Sequence, residues 1–210
     1  MSLSGDRALA QQFSIGAIGG VRATDDLNGT LSSESKRYIV GPTAEVSLPL
    51  HLSFEFDALY RRFGFTGYQS SPLANSITRV RANSWEFPLL VKFHLPFALA
   101  HPFAGAGYAP RVVHGTAVSS GSFLSGMTSN PPMDIFTTFV SQRSSTGYAV
   151  SNGVVGTAGV ELRAGPIHVS PQLRYVHWSA PFLDAAGGDG SFRFESTQDE
   201  FFVLVGVSWR

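Results

Sequence analysis

Apolar and polar residues alternate along most of this chain, so that side chains of like character recur at every second position. The clearest run is Leu52–Arg61 (LSFEFDALYR), whose even positions are Leu, Phe, Phe, Ala and Tyr and whose odd positions are Ser, Glu, Asp, Leu and Arg. Successive side chains of a β-strand point to opposite faces, whereas a helix repeats its apolar positions every three or four residues. The run therefore predicts a strand with one wholly apolar face and one face that carries charge.

Seven more segments show the same two-faced alternation, which predicts eight strands in all. The predicted strands cover residues 13–22, 38–48, 52–61, 84–93, 103–111, 154–163, 167–175 and 201–210. The apolar faces assigned in this way contain no Asp, Glu, Lys or Arg, and nearly all the charged residues of the strands fall on the opposite faces. Because chance would not easily sort charge this way in every strand, we expect the two faces to meet different environments.

The segments that connect the predicted strands alternate between short and long. The short connections are residues 48–51, 95–101 and 164–167, and the long ones, rich in Ser, Gly, Asn, Thr and Pro, are residues 25–36, 64–82, 112–150 and 179–198. The strands are therefore expected to run up and down, with tight turns at one end and long loops at the other. No linker divides the chain, which predicts a single domain over residues 11–210. Residues 1–10 are interpreted as the remnant of a leader or a disordered N-terminus, because Ala8-Leu9-Ala10 has the small-x-small form of a signal-peptidase site.

Composition limits the classes of protein to which this pattern can belong. The 210 residues include no Cys, which excludes a disulfide scaffold, a thiolate metal site and a Cys nucleophile. Lys and Arg number 15 and Asp and Glu also number 15, so no basic excess suggests a nucleic-acid partner. Charged residues make up 14% of the chain, against roughly 25% in soluble domains, and no apolar run approaches the roughly 18 residues of a membrane helix. We therefore expect either a β-rich soluble domain or a membrane β-barrel.

Four features favour a barrel in lipid over a soluble, lipocalin-like barrel with its apolar face inward. The charges are too few to cover a soluble exterior, the aromatics gather near strand ends, long loops are segregated from short turns, and both termini lie at the turn end. We expect the following charged side chains to pair with one another in the lumen: Arg22, Glu45, Glu55, Asp57, Arg61, Glu86, Lys92, Arg111, Glu161 and Arg174. We expect the following aromatic side chains to form rings at the two membrane interfaces: Tyr38, Tyr60, Trp85, Phe93, Tyr108, Tyr175 and Trp209.

Lipid places strict demands on a sheet that crosses it. It offers no partner for free backbone N–H and C=O groups, so a sheet can span it only when closed. An Arg or Lys facing the acyl chains at the midplane costs about 2–4 kcal/mol, which would select charge-free faces such as these. The sequence therefore predicts an all-β fold: an eight-stranded antiparallel up-and-down transmembrane β-barrel with short periplasmic turns and long extracellular loops.

Several strand sequences resemble those of the eight-stranded outer-membrane β-barrel family of Gram-negative bacteria, the group that contains OmpA-type and OmpX-type domains. The stretches that carry the resemblance are LSFEFDALYR (52–61), WEFPLLVKF (85–93), PFAGAGYAPR (102–111), GVELRAG (159–165), QLRYVHW (172–178) and the last strand FFVLVGVSW (201–209). The resemblance implies a signal peptide, a place in the bacterial outer membrane among its lipid and lipopolysaccharide, and recognition of the C-terminal strand by the barrel-insertion machinery. Family members usually end on an aromatic residue, whereas here Trp209 is followed by Arg210.

The sequence specifies function less clearly than fold, because this fold hosts many unrelated activities. The leading hypothesis is a non-enzymatic barrel, porin-like in architecture, with a structural role or a surface interaction between its extracellular loops and an unknown partner. Since an eight-stranded barrel is just wide enough for side chains to fill, the lumen charges are interpreted as a plug, and a small-solute porin is the alternative. Within the longest loop, the apolar segment Met133–Val140 marks a possible partner surface on a hairpin that extends two strands, or a cover over the barrel mouth.

An outer-membrane lipid-modifying hydrolase, similar to lipid A deacylases, is a further alternative. His177 and Ser179 are the candidate catalytic pair, with Glu195 or Glu200 as the acid that would orient the His. The other His residues are scattered without metal-ligand spacing, so neither a metal nor a cofactor is expected. The early Gly-x-Trp of lipocalins is absent, which argues against a soluble ligand carrier.

Overall fold

The computed structural model describes residues 13–25, 27–28, 32–33, 35–71, 74–97, 100–126, 135–181, 184–186 and 193–209. Residues 1–10, interpreted above as a leader remnant, and Arg210 lie outside the described residues. The described residues contain no helix that is long and apolar enough to cross a membrane.

Fourteen β-strands account for nearly all of the described chain. They are β1 (Phe13–Arg22), β2 (Leu27–Asn28), β3 (Ser32–Ser33), β4 (Tyr38–Ser47), β5 (Leu52–Asp57), β6 (Leu59–Ser71), β7 (Ala74–Glu86), β8 (Leu89–His94), β9 (Ala100–Gly126), β10 (Ile135–Ala164), β11 (Ile167–Trp178), β12 (Asp184–Ala186), β13 (Arg193–Ser196) and β14 (Asp199–Trp209).

The longer strands close into a ring. β1 pairs with β4, β4 with β5, β5 with β8, β8 with β9, β9 with β10, β10 with β11, β11 with β14, and β14 returns to β1. All of these pairings are antiparallel, and β6 and β7 continue β5 and β8 beyond short interruptions, so the wall has eight strands. The prediction of an all-β, antiparallel, up-and-down fold is confirmed.

The interruptions in two wall strands change neither the neighbouring strand nor the register of pairing. Between β7 and β8, Pro88 has no N–H to donate to a ladder, and its carbonyl instead accepts a hydrogen bond from Asp57 N at 3.1 Å. Ala58, which separates β5 from β6, donates its N–H to the carbonyl of Pro42 at 3.1 Å. Backbone groups at both breaks are therefore satisfied, and the wall stays continuous through them.

Side chains alternate strictly between the two faces of the wall. On β14, Phe201, Val203 and Val205 face outward and are about half exposed, whereas Phe202 and Leu204 between them are buried in the interior. Strands β1, β4, β5, β8 and β11 alternate in the same way. The outward faces are the apolar faces that the sequence pattern assigned, including Ala104, Ala106 and Tyr108 of β9.

The long loops hold more strand than the sequence predicted. Residues 64–82, expected as a loop, belong to a β6–β7 hairpin in which Ser71 pairs with Ala74. Residues 112–126 and 135–150 extend β9 and β10 as a second antiparallel pair, which agrees with one of the two arrangements expected for that segment, and residues 127–134 lie outside the described residues. The expected loops 25–36 and 179–198 contain the short strands β2, β3, β12 and β13. The prediction of a loop at residues 64–82 was wrong. This segment is rich in Ser, Thr, Gly and Arg, a composition typical of loops, but these residues form cross-strand pairs.

The β6–β7 hairpin and the β9–β10 pair join into one sheet, since β7 pairs with β9 all the way to Ala74 and Phe123. We call this four-stranded sheet, where β6, β7, β9 and β10 continue past the row Tyr60–Trp85–Val112–Val150, the extension. It stands at the end of the barrel opposite the short turns, and we call the two ends the loop end and the turn end.

Close strand approach on the inner face of the wall depends on glycine. A Cβ at Gly41 would lie 1.8 Å from the carbonyl oxygen of Ala58, a backbone atom that cannot swing away, whereas a Cβ at Gly156 would meet nothing within 4 Å. We expect Gly41→Ala to lower the free energy of unfolding by about 1–3 kcal/mol, because the added methyl forces a backbone shift. Gly156→Ala, the same change in another wall strand, should leave stability unchanged or slightly raised. Denaturant titration of the folded protein measures both, and an equal loss in the two variants would contradict the packing argument.

Candidate functional site

The interior of the barrel is filled by side chains. Apolar residues from all eight wall strands form one buried cluster: Ile18, Ile39, Leu59, Leu90, Ala109, Val155, Val176, Trp178, Phe202 and Leu204. Phe63, Ala82 and Val113 form a second buried cluster where the extension begins. A cavity among Glu45, Glu55, Lys92 and His168 measures about 20 Å³, which is room for a water molecule rather than a solute.

Charged side chains gather in two groups within this interior, and the first group lies toward the loop end. Arg61 Nε is 2.7 Å from Glu86 Oε1, and Arg61 Nη2 is 2.7 Å from Glu200 Oε2. Trp178 Nε1 donates a hydrogen bond of 2.9 Å to the same Glu200 carboxylate. The guanidinium of Arg111 stacks over the Trp178 ring at 3.8 Å from its centroid. Arg61 thus bridges two carboxylates that are both shielded from solvent, which is the geometry a buried ion pair requires.

The second charged group lies toward the turn end. Arg174 holds two carboxylates, with Nη1 at 2.6 Å from Asp57 Oδ2 and Nη2 at 2.9 Å from Glu55 Oε1. Lys92 contacts Glu55 as well and lies 3.3 Å from Glu45. The group therefore runs as a chain of alternating charge across β4, β5, β8 and β11.

The structure places all ten of the charged residues named from the sequence inside the barrel. It also brings in residues that the sequence analysis did not assign to the lumen charge network, chiefly Glu200, His94 and His168. Glu200 has the same parity as Phe202 and Leu204, so extending the last predicted strand by one residue would have assigned it to the interior. His168 falls on the polar face of the predicted strand 167–175, but nothing in its spacing indicates which carboxylate it meets.

Two histidines previously described as scattered meet at the turn end. His168 Nδ1 lies 2.8 Å from Glu161, and His94 lies 3.7 Å from Glu161 and 3.9 Å from Glu45. The ligand atoms of Glu45, His94 and Glu161 all lie within 4.8 Å of one another, so long-range pairing of strands gathers residues whose spacing in the sequence showed no metal pattern. Lys92 already lies 3.3 Å from Glu45, and Arg163 lies 2.8 Å from Glu161. The carboxylates are therefore neutralised by protein cations, and the group is an ion-pair network rather than an open metal site.

Eight of the outward aromatic side chains lie in two rings near the two ends of the barrel, and others, including Phe54 and Phe56, lie between the rings. The loop-end ring holds Tyr38, Tyr60, Trp85, Tyr108 and Tyr175, and the turn-end ring holds Phe93 and Trp209 together with Phe13. Neighbours in the loop-end ring touch, since the Tyr60 and Trp85 ring centroids are 5.2 Å apart. We call the outward-facing apolar residues between the rings the belt. Its side chains are aliphatic, aromatic or small, and on the described strands it carries no charge.

The proposed hydrolase pair does not assemble as the sequence hypothesis required. His177 faces outward at the loop end, where its Nδ1 lies 2.7 Å from Asp199 Oδ1, and Tyr175 donates a hydrogen bond to the same carboxylate. Among the described residues no hydrogen bond joins His177 to Ser179. Glu200, one of the two candidate acids, points into the barrel, because it follows Asp199 in the strand and neighbouring side chains face opposite ways. The other candidate, Glu195, lies in β13, where it pairs with Asn28.

Asp199 lies beyond the loop-end aromatic ring, outside the belt. Hydrogen bonds from Tyr175 and then from His177 hold the pKa of the Asp199 carboxyl below its usual range, because both stabilise the charged carboxylate. The trio is a partly exposed polar contact on the rim of the barrel, which joins the start of β14 to the end of β11.

No protein-family model and no curated protein matches this sequence. Solved structures similar to the chain include Neisserial surface protein A, with 12% identity over 94% of this chain and 96% of that one and a TM-score of 0.42. The N-terminal β-barrel domain of Pseudomonas aeruginosa OprF is 9% identical over 93% and 96%, with a TM-score of 0.38. Ail, the attachment invasion locus protein of Yersinia pestis, is 11% identical over 94% and 96%, with a TM-score of 0.32. The closed ring of strand pairings, rather than these distant similarities, establishes the fold.

Proposed function

We propose that this chain is a β-barrel of the bacterial outer membrane whose role is structural or interactive at the cell surface, with neither catalysis nor solute passage. The observation that carries the proposal is a closed eight-stranded wall with an uncharged outward belt between two aromatic rings and its ion pairs inside. In water this arrangement would leave a large apolar surface exposed, whereas in lipid the belt is covered and the charged side chains are kept away from the acyl chains. The last strand, β14, ends with the outward-facing Trp209 and is the segment that the insertion machinery would read.

The extension is the part of the molecule best placed for a surface interaction. Phe139, Tyr148 and Tyr68 lie on it and are 81%, 76% and 72% exposed. Within the described residues, the loop-end half of β10 pairs only with β9, because pairing with β11 begins at Gly153. A protruding sheet with exposed aromatics and an open strand edge is suited to contact with another molecule.

Membrane residence predicts a distinctive behaviour on extraction. The protein should leave the cell envelope only with detergent, because the belt has no other way to be covered. An unheated sample should migrate differently on a gel from a boiled one, since the closed wall resists denaturation until heated. Gel migration of the extracted protein with and without boiling measures this. Recovery of folded protein in a detergent-free soluble fraction would contradict the membrane location.

The filled interior predicts that the barrel does not conduct. With two apolar clusters and two charged groups occupying the lumen, the chain in a planar bilayer should show no large, steady conductance. Single-channel recording measures this, and a known open porin in the same bilayer serves as the control. Stable openings at the level of that porin would favour the small-solute porin over a structural or surface role.

A further inference from the structure

Four arginines occupy the outward face of the extension, and we call them the arginine face: Arg62, Arg79, Arg81 and Arg143. All four are exposed. Arg79 and Arg143 flank Val118 in one cross-strand row, so their Cα atoms are about 10 Å apart across three adjacent strands. Arg81 lies two residues from Arg79 on the same face, about 7 Å along the strand. Arg62 pairs with Asn83, the next outward position on β7, which brings it diagonally beside Arg81.

Among the described residues of the extension, no acidic side chain lies beside the arginine face. Residues 59–85 contain no Asp or Glu, and residues 112–153 contain one acid, Asp134, which lies outside the described residues. Among the described residues, no salt bridge or side-chain hydrogen bond engages any of the four guanidinium groups. Like charges on neighbouring strands repel one another, so an anion bound among them would relieve a cost that the bare sheet carries.

The other side of the loop end has a different character. There Asp25 pairs with Arg37 at 3.1 Å, and Asp199 pairs with His177 at 2.7 Å. Acid and base therefore accompany each other around β1, β11 and β14, whereas the charged residues that face outward from the described part of the extension are all basic. The positive charge is concentrated on one sector of the barrel.

The direction and height of these side chains favour a lipid over a soluble anion. The outward face of the extension continues the face that carries the belt, so the guanidinium groups point sideways over the membrane surface, where the heads of neighbouring lipids stand. Arg62 is two residues beyond Tyr60 of the loop-end ring, and Arg79 is six residues beyond Trp85. With strands rising about 3.3 Å per residue at a tilt of about 40°, these positions lie about 5 Å and about 15 Å above the ring.

That range of heights exceeds the head layer of an ordinary phospholipid leaflet, which is about 5–8 Å thick. We infer that the arginine face binds the phosphate groups of a phosphorylated glycolipid in the outer leaflet, whose saccharide head carries phosphate at more than one height. Arginine suits this ligand because its planar guanidinium binds phosphate oxygens through two parallel hydrogen bonds. The inference rests on the proposed membrane location and names the lipid that the extension contacts.

Binding of fluorescent lipopolysaccharide to the full chain, folded in zwitterionic detergent micelles, tests this inference. The double variant Arg79→Gln, Arg81→Gln should bind about thirtyfold more weakly, since each basic side chain beside an anionic lipid head contributes about fivefold. The matched control is Arg37→Gln, which removes an exposed arginine that lies outside the arginine face and pairs with Asp25, and this variant should bind like the unaltered protein. Enzymatically dephosphorylated lipopolysaccharide should bind the unaltered protein as weakly as the phosphorylated form binds the double variant.

Other outcomes would overturn the inference. Equal affinity of the double variant and the unaltered protein would exclude the arginine face as the binding site. Competition by inorganic phosphate or by soluble heparin at the same concentration as lipopolysaccharide would show that the face takes free anions rather than a lipid. If the double variant loses the heat-dependent gel shift of the folded barrel, Arg143→Gln alone should weaken binding about fivefold. If the protein folds in detergent but binds phosphorylated and dephosphorylated lipopolysaccharide with equal affinity, this inference alone is refuted. If the protein is folded and soluble without detergent, the proposed function is refuted.

Discussion

Replacing Arg174 by Met is expected to lower the free energy of unfolding by about 3–5 kcal/mol, because it removes one partner of a buried ion pair. Arg174 is 1% exposed and lies 2.6 Å from Asp57, which is fully buried. Lys92 would still contact Glu55, but no other cation of the described residues is paired with Asp57. The variant therefore leaves a carboxylate in the barrel interior without its counter-charge. Denaturant titration of the protein folded in lipid vesicles measures the loss.

A second substitution separates charge from packing at this position. In the Arg174→Met background, Asp57→Asn should recover much of the lost stability, because the orphaned charge is removed with little change in shape. The matched control is Arg37→Met, which breaks the exposed Asp25–Arg37 pair and should cost at most about 1 kcal/mol. A cost below about 1 kcal/mol for Arg174→Met would mean that water or another cation reaches Asp57, and the interior would then not be a closed ion-paired core.

The wall strands could be predicted from the sequence because one simple rule governs them. A residue on a two-faced strand faces either the outside or the interior of the barrel. The apolar Phe54 is therefore assigned to the outer face and the charged Glu55 to the interior from residue type alone. The same rule explains why Gly105 and Gly107 of β9 lie on the inner face, where a Cβ at Gly107 would be 1.8 Å from the carbonyl of Leu89. Alternation is a local property, and local properties can be read from consecutive residues.

The extension could not be predicted in the same way. Beyond the aromatic ring neither face of the sheet is expected to meet acyl chains, so the alternation of apolar and polar residues fades, and residues 64–82 resemble a loop in composition. What holds Arg79 in a strand is its pairing with Thr66 on one side and Val118 on the other. The arginine face depends on those registers, because its four members come from three strands and no segment of sequence displays them together.

The ion-pair partners of the interior charged residues could not be predicted from the sequence either. The sequence indicated which charged residues face inward, yet Arg61 meets Glu200, 139 positions away. Such a pairing follows from ring closure and strand stagger, which are set by the whole wall rather than by any one strand. For the same reason Glu161 and His94 meet at the turn end although 67 residues separate them.

Replacing Val205 by Arg is expected to lower the free energy of unfolding in lipid by about 2–4 kcal/mol, because it places a charge at the level of the bilayer midplane. Val205 lies midway along β14 between the outward residues Phe201 and Trp209, and its neighbours in the ladder are Gly19 and Pro171. It is 45% exposed, so the larger side chain can be accommodated without repacking the interior. The change in the free energy of unfolding would therefore show whether lipid or water surrounds the belt.

A matched substitution at the turn-end ring decides between lipid and water around the belt. Ile167 also faces outward and is 40% exposed, but it pairs with Trp209 at the edge of the wall. Ile167→Arg should cost only about 0–1 kcal/mol, because its guanidinium reaches the membrane–water interface. Titration of both variants in vesicles thus measures a dependence on depth that a soluble barrel cannot show, since an exposed surface substitution in water usually changes stability by about 0.5 kcal/mol or less. Small and equal costs at the two positions would place the belt in water and overturn the membrane location, whereas a larger cost at Val205 follows only if the belt is covered by acyl chains.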